Sequence, residues 1–390
     1  METLQNTIAA PNTLAGQSLT STRRYDLDWL RVLAFGLLIF YHTGMFFVSW
    51  EWHIKNNIIS EALEPFMIFP NQWRMSLLFL ISGAAVYFAL DKLTGRKFLW
   101  ERTKRLFVPL VFGMFFVIPP QIYFERISQG ETFSYFSFQQ TVFQMQPYPE
   151  GSFSWHHLWY LVYIFVYSLV FLPLFLWLKS EKGKRLTKKI AGTLHFPFLI
   201  YGFALFQFVD EILLKDDWEI SHNLIADWYN HGLSIAFFVM GFLICTHQKF
   251  WQVIENQRKW SLGLGLFTAT VLYVFYWTPW EDIEGVNLLL YRFIKSFSRW
   301  FWILTILGFG KKYLNFTNPF LRYANQAVAP FYILHQTVIT FFAYYATNWQ
   351  IPVSIKFLYI SLATFLICWI LYEFLIKRWQ LLRVVFGLKR

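Results

Sequence analysis

Histidine and arginine are the residues of this chain whose types and spacing can do chemistry. Arg31 and His42 stand eleven residues apart within one apolar run. Eleven residues make almost three helical turns, so both fall on one face, roughly 16 Å apart along the axis. An imidazole takes up a proton near neutral pH, and a fixed guanidinium suits phosphate or carboxylate. His335 is a second imidazole in an apolar stretch, within Phe331–Gln336. Arg292, Lys295 and Arg299 recur at i, i+3 and i+7, again one face. That face must line a cavity or meet an anionic group, unless Arg292 and Lys295 snorkel to the outer headgroups. Glu373 lies four residues before Lys377, whose pairing with it is the plain structural alternative. A base beside fixed cations suits transfer of an acyl group from a phosphorylated carrier to a hydroxyl.

The elements that hold these residues follow from composition. The 390 residues are 56% apolar and only 15% charged, far below the roughly 25% charge of soluble domains. An ordinary cytosolic enzyme and a disordered chain are excluded. A bilayer core needs about 20 apolar residues of helix, and runs near that length recur ten times. They are Trp29–Ser49, Trp73–Leu90, Leu106–Tyr123, Leu158–Leu178, Ile190–Phe208, Tyr229–Thr246, Trp260–Trp277, Val286–Phe309, Val328–Tyr345 and Ile355–Ile376. The expectation is an all-α polytopic membrane bundle of about ten transmembrane helices around an interior polar cavity. Ionisable groups at membrane depth are costly and face such cavities, which makes each a candidate site.

Charge sets the orientation. Most of the 34 basic residues fall in alternate loops, such as Arg96–Arg105 and Lys182–Lys189, and in the two ends. The opposite loops carry acidic clusters at Asp210–Glu211, Asp216–Asp217 and Glu281–Glu284. Both termini are expected in the cytoplasm, with residues 1–22 a flexible tail, 23–380 the transmembrane domain and 381–390 a basic tail. The first 22 residues lack the apolar core of a cleavable signal peptide. The net charge of +11 is thus a topology signal, and no nucleic-acid partner is expected. Cys245 and Cys368 both sit in apolar runs, which disfavours disulfides and zinc clusters. There is no phosphate-cradling glycine loop, no Gly-x-Ser-x-Gly elbow and no His-Glu-x-x-His pair; no metal is expected. The aromatic segment Phe124–Trp155 reads as an outer interfacial or re-entrant stretch.

In order and spacing the chain resembles the membrane-bound acyltransferase 3 family, from about Tyr25 to Leu388. Asp28-Trp29-Leu30-Arg31 through His42 is similar to its Arg-x10-His signature. Arg74-Met75 before Phe79-Leu80-Ile81-Ser82-Gly83 resembles its second-span pattern, and Arg102-x-x-Arg105-x-x-x-Pro109 its basic inside-loop motif. His157-Leu158-Trp159-Tyr160-Leu161 resembles the opening of a later span. Phe331-Tyr332-Ile333-Leu334-His335 and Leu371-Tyr372-Glu373 are similar to its last two span motifs.

The resemblance implies an enzyme of the inner (cytoplasmic) membrane with no bound cofactor. It would move an acyl group, succinyl or acetyl, from cytoplasmic acyl-CoA to a hydroxyl of an extracytoplasmic carbohydrate such as a periplasmic glucan. Partners would be the bilayer, acyl-CoA, the acceptor and other membrane proteins of glucan or polysaccharide synthesis. On that reading His42 is the base, Arg31 lies nearer the thioester, and Arg74 and His335 steady the oxyanion or orient His42. Arg102 and Arg105 meet the CoA phosphates, and Arg292 or Arg299 meets a succinyl carboxylate. His157, Trp159 and Glu373 are assigned to the acceptor. The alternatives are an O-acetyltransferase of another surface polysaccharide or lipid-linked sugar and, outside enzymes, a transporter.

Overall fold

The computed structural model describes residues 23–278 and 283–389. The expected tail 1–22, the acids Glu281 and Asp282, and Arg390 lie outside the described residues. All regular elements among the described residues are helical. In chain order they are α1 (Tyr25–Met45), α2 (Glu61–Leu90), α3 (Gly95–Ser128), α4 (Tyr135–Val142), α5 (His156–Val170), α6 (Leu172–Lys179) and α7 (Glu181–Thr193). There follow α8 (Pro197–Leu213), α9 (Trp228–Cys245), α10 (Gln248–Trp277), α11 (Gly285–Tyr313), α12 (Pro319–Ala346), α13 (Val353–Ile376) and α14 (Gln380–Val385).

Six of these, α2, α3, α9, α10, α12 and α13, are long and apolar enough to cross a membrane, and two bent pairs raise the number to eight. Each bent pair departs from the single continuous span expected there. The run Leu158–Leu178 is broken between α5 and α6 by 53°, where Pro173 opens the second piece. The run Ile190–Phe208 is not one helix: α7 and α8 meet at 112°, because Pro197 cannot continue the ladder that Thr193 leaves. Ile190 belongs instead to α7, whose basic residues lie on the exposed face and whose Gly183, Thr187 and Ala191 are buried. The helices α1 and α11 have 21 and 29 residues but fall outside the same test. Their apolar runs are interrupted by the very residues singled out for chemistry.

Small residues bring the helix axes close. A Cβ on Gly83 of α2 would stand 1.8 Å from the Phe238 carbonyl oxygen of α9, and one on Gly241 of α9 1.9 Å from that of Leu80. The two backbones therefore cross in contact, as small-residue interfaces allow in membranes. A similar crossing joins α10 and α11 at Gly308, opposite Ile254 and Arg258. The start of α12 is fixed by Asn318, whose side chain accepts from the Leu321 N–H at 2.7 Å, with Pro319 at the first helical position.

The decisive pairing for the site is α1 with α12. The Arg31 guanidinium donates to the Asn325 side chain at 2.6 Å, and His42 meets His335 at 2.8 Å. Eleven residues up α1 thus correspond to ten up α12, so the two helices run side by side in the same direction. Above α1, residues 46–60 form a loop tied down by two lysines. The Lys55 ammonium donates to the Met45 and Trp50 carbonyls at 2.6 Å each, and burial pushes it down to about 8. The fully buried Lys356 donates to Asn56 at 2.7 Å.

Candidate active site

A cavity of about 1500 Å³ opens among the ends of α1, α2, α5, α9 and α12 and the loops that follow them. Its wall includes His42, Arg74, His157, Trp159, Lys295 and Arg299. The structure therefore brings together six of the residues that the sequence singled out, from four helices, α1, α2, α5 and α11.

Hydrogen bonding sets the tautomer of His42. A backbone carbonyl only accepts, so His335 Nδ1 carries a proton and donates to the Tyr332 oxygen at 2.7 Å. The bare Nε2 of His335 must then accept, and His42 Nδ1–H donates to it across 2.8 Å. The two rings are nearly parallel, at 11°. This leaves Nε2 of His42 unprotonated, on a ring that lines the cavity, with no hydrogen-bond partner among the described residues. His335 itself is 1% exposed; it orients the first imidazole rather than facing the cavity.

Arg74 is the second feature. Its guanidinium lies over the Tyr41 ring, 3.1 Å from the centroid, and is 8% exposed. Its Nε and Nη1 are buried without a hydrogen-bond partner among the described residues. A buried cation with free donors on a cavity wall is poised for an anion, because unpaired burial is costly.

His157 is occupied. Its Nε2–H donates to the Ile333 carbonyl at 3.0 Å, and its Nδ1 lies 3.4 Å from the Gln121 amide nitrogen. It packs edge-on to His335, with centroids 5.2 Å apart, and so holds the end of α5 against α12. Trp159 carries a stacked His222 at 4.2 Å between centroids. His222 sits on the loop 214–227 with φ +54°, and Trp155 Nε1 donates to its carbonyl at 3.1 Å.

The remaining predicted residues lie apart. Arg31 is one long stretch of α1 below His42, bound to Asp28 and Asn325. It does not line the cavity; it shares its level with Tyr160, whose hydroxyl lies within electrostatic reach of both Arg31 and Arg102. Arg102 and Arg105 are not the side-by-side pair their spacing suggests. The turn Thr103–Phe107 is a wider π turn, so Arg102 folds over Phe98 while Arg105 is exposed and paired with Glu101 at 3.2 Å. Arg292 pairs with Asp216. Arg299 and Lys295 both pair with Glu211, at 3.1 and 2.8 Å, which accounts for the basic stripe on α11. Glu373 accepts from Lys377 at 2.9 Å and from the Tyr323 hydroxyl at 2.8 Å, the plain i, i+4 arrangement, and does not reach the cavity.

Sequence reasoning left His53, Glu125, His222 and Gln336 without a role, although all four line the cavity. Only the neighbourhood of Gln336 to His335 in the chain pointed towards it.

The family described as Acyltransferase domain matches residues 24–373, and the chain belongs to this acyltransferase 3 family. It is accordingly an O-acyltransferase, and its apolar helices mark a multi-pass membrane protein. Glucans biosynthesis protein C of Salmonella schwarzengrund (strain CVM19633) is 22% identical over 341 residues, which cover 85% of this chain and 86% of that protein. Proteins of the same name from Salmonella agona (strain SL483) and Salmonella dublin match to the same extent. No solved structure matches the chain.

Proposed function

We propose that this enzyme carries an acyl group from cytoplasmic acyl-CoA to a hydroxyl of an extracytoplasmic carbohydrate, a periplasmic glucan in the first instance. The fold would be a ten-span bundle in the inner membrane, with α1 and α11 as spans whose charges turn inward and both termini in the cytoplasm. The observation that carries the reading is the unprotonated Nε2 of His42, held by His335 beside Arg74 on the wall of a large cavity.

The chemistry follows from that geometry. His42 Nε2 takes the proton of the acceptor hydroxyl as its oxygen attacks the thioester carbonyl. The negative charge that develops on the carbonyl oxygen meets the free donors of Arg74. Collapse of the tetrahedral intermediate breaks the carbon–sulfur bond, and the CoA thiolate recovers the proton from the His42 imidazolium. The products are an ester and free CoA. His335 stays neutral throughout and fixes the ring that moves the proton. On the opposite side, Arg102 and Arg31 suit the phosphates and the pantetheine arm of the donor, because both lie on the level of Tyr160, below His42. The shared name of the relatives supports a glucan as acceptor.

The test is acyl transfer from radiolabelled acyl-CoA by purified protein. His42→Ala should lower the rate by about 10²–10⁴-fold, the usual worth of a general base, with expression and membrane insertion intact. Full activity in that variant would remove the assignment. Mass analysis of the cell's glycans with and without the protein identifies both the acyl group and the acceptor.

A further inference from the structure

We infer that His53, Glu125 and His156 form a binding site for one divalent metal ion of the zinc class, on the wall of the cavity that holds His42. The three residues come from the loop after α1, the end of α3 and the first residue of α5. One ligand atom from each lies within 4.8 Å of the others. A tetrahedral zinc site with bonds of about 2.0–2.1 Å sets its ligand atoms about 3.3 Å apart, a change that small side-chain rotations supply. His53 Nδ1 and Glu125 Oε2 already stand 2.8 Å apart.

The surroundings of the three ligands are those a metal site requires. Ligating imidazoles use their second nitrogen, and ligating carboxylates their second oxygen, to bind outer partners that fix their orientation. His156 Nδ1 meets Ser154 Oγ at 2.7 Å, which leaves Nε2 buried with no hydrogen-bond partner among the described residues. Glu125 Oε1 accepts from the Tyr148 hydroxyl at 2.7 Å, which leaves Oε2 for the centre. His53 Nε2 lies 2.9 Å from the Gln336 side-chain amide. Turning that amide over lets its oxygen accept from Nε2–H when the metal takes Nδ1.

A second observation comes from the backbone. His156 has φ +35°, a conformation that residues other than glycine rarely adopt. The chain accepts it where the ring must stack on His53, with centroids 4.7 Å apart. Two imidazoles and one carboxylate match a zinc site that keeps its fourth position open. All three residues line the cavity, so that position faces the space assigned to the acceptor. Calcium and magnesium, which take six or more oxygen ligands or near-octahedral geometry, do not suit this set. The spacing of 53, 125 and 156 along the chain matches no compact metal motif, so only the fold brings the three together.

The experiment uses the full chain in detergent micelles, purified with a tag free of histidine and stripped with a chelator. Isothermal titration with zinc chloride alone should show one equivalent bound per chain, and titration with calcium or magnesium chloride should show none. His156→Gln should weaken zinc binding by at least about 100-fold, and Tyr148→Phe, which keeps all three ligands, by about tenfold. Size-exclusion profiles verify that each variant is folded; should His156→Gln fail that check, Tyr148→Phe carries the test. His42→Ala should bind zinc as the parent does, which separates this site from the acyl-transfer reading. Absence of zinc binding in the parent, or equal affinity in the parent and both variants, overturns the proposal.

Discussion

Two groups of buried charge stand on the wall of one cavity, and they are built on opposite terms. On the side of α8, α9 and α11, Glu211 is fully buried and bound by Lys295 at 2.8 Å, Arg299 at 3.1 Å and the Tyr229 hydroxyl, with Lys215 at 3.7 Å. On the side of α1, α2 and α12, Arg74 has two nitrogens without partners and His42 has a bare Nε2 on the cavity. The first group spends its charge largely on itself, although Arg299 Nη1 is also buried without a hydrogen-bond partner among the described residues. The second leaves Arg74 without a counter-charge and an acceptor of His42 free on the wall of the cavity where a substrate would lie. Buried charge in a membrane bundle thus serves either the scaffold or the chemistry, and the presence of a counter-charge separates the two.

Removing the hub of the paired group should have the largest effect on the fold. Glu211→Ala leaves Lys295 and Arg299 buried without their counter-charge, a change that typically costs about 3–5 kcal/mol. Thermal unfolding in detergent should show that loss. Unfolding at the parent's temperature would mean that water already screens the cluster, and the contrast with Arg74 would fall.

The reverse is expected on the other side. Arg74→Ala removes a cation whose visible partner is the Tyr41 ring, a contact worth about 2 kcal/mol when desolvated. Loss of the oxyanion's donor should lower the rate of acyl transfer by about 10²–10³-fold. Parallel measurement of stability and of acyl transfer sharpens the comparison. A variant that unfolds like Glu211→Ala yet transfers acyl groups normally would place Arg74 with the scaffold.

The same distinction explains what could be read from the sequence. Apolar run length marks the helices, since the need to satisfy backbone groups within lipid leaves few alternatives. It did not reveal the breaks at Phe171 and at Thr193–Pro197, because hydropathy averages over a proline that turns the chain. His42, Arg74 and His335 were visible because a polar side chain in an apolar run stands out and the order of motifs resembles a family. Their division of labour was not, since it depends on α1 lying parallel to α12, a pairing between residues almost 300 positions apart. The i, i+3, i+7 stripe of Arg292, Lys295 and Arg299 was legible as a face, but its partner Glu211 sits on another helix. Loop residues such as His53 and His222 carry no periodic signal, and only the fold shows that they face the cavity.

His222 gives the smallest expected effect and the finest test, because it joins the loop 214–227 to the cavity without a charge partner. Burial against Trp159 holds its imidazole down to about 4, below the ordinary value near 6.5, while Asp227 opposes the shift and Arg74 adds to it. The depressed value means that the stacked form disfavours the proton. Above pH 6.5 both the stacked and the released loop are neutral at this position, and the closed arrangement keeps its full stability. As pH falls from 6.5 towards 4, only the released loop binds a proton, so closure weakens by up to tenfold per pH unit. At pH 5 the loss is about 2 kcal/mol by this arithmetic. Hydrogen–deuterium exchange of residues 214–227 should accelerate between pH 6.5 and 4.5 once corrected for the intrinsic rate. In His222→Phe, which keeps an aromatic face for Trp159 but cannot titrate, the corrected exchange should be flat across that window. A pH response that persists in this variant would assign it to another group and leave the loop's closure independent of the imidazole.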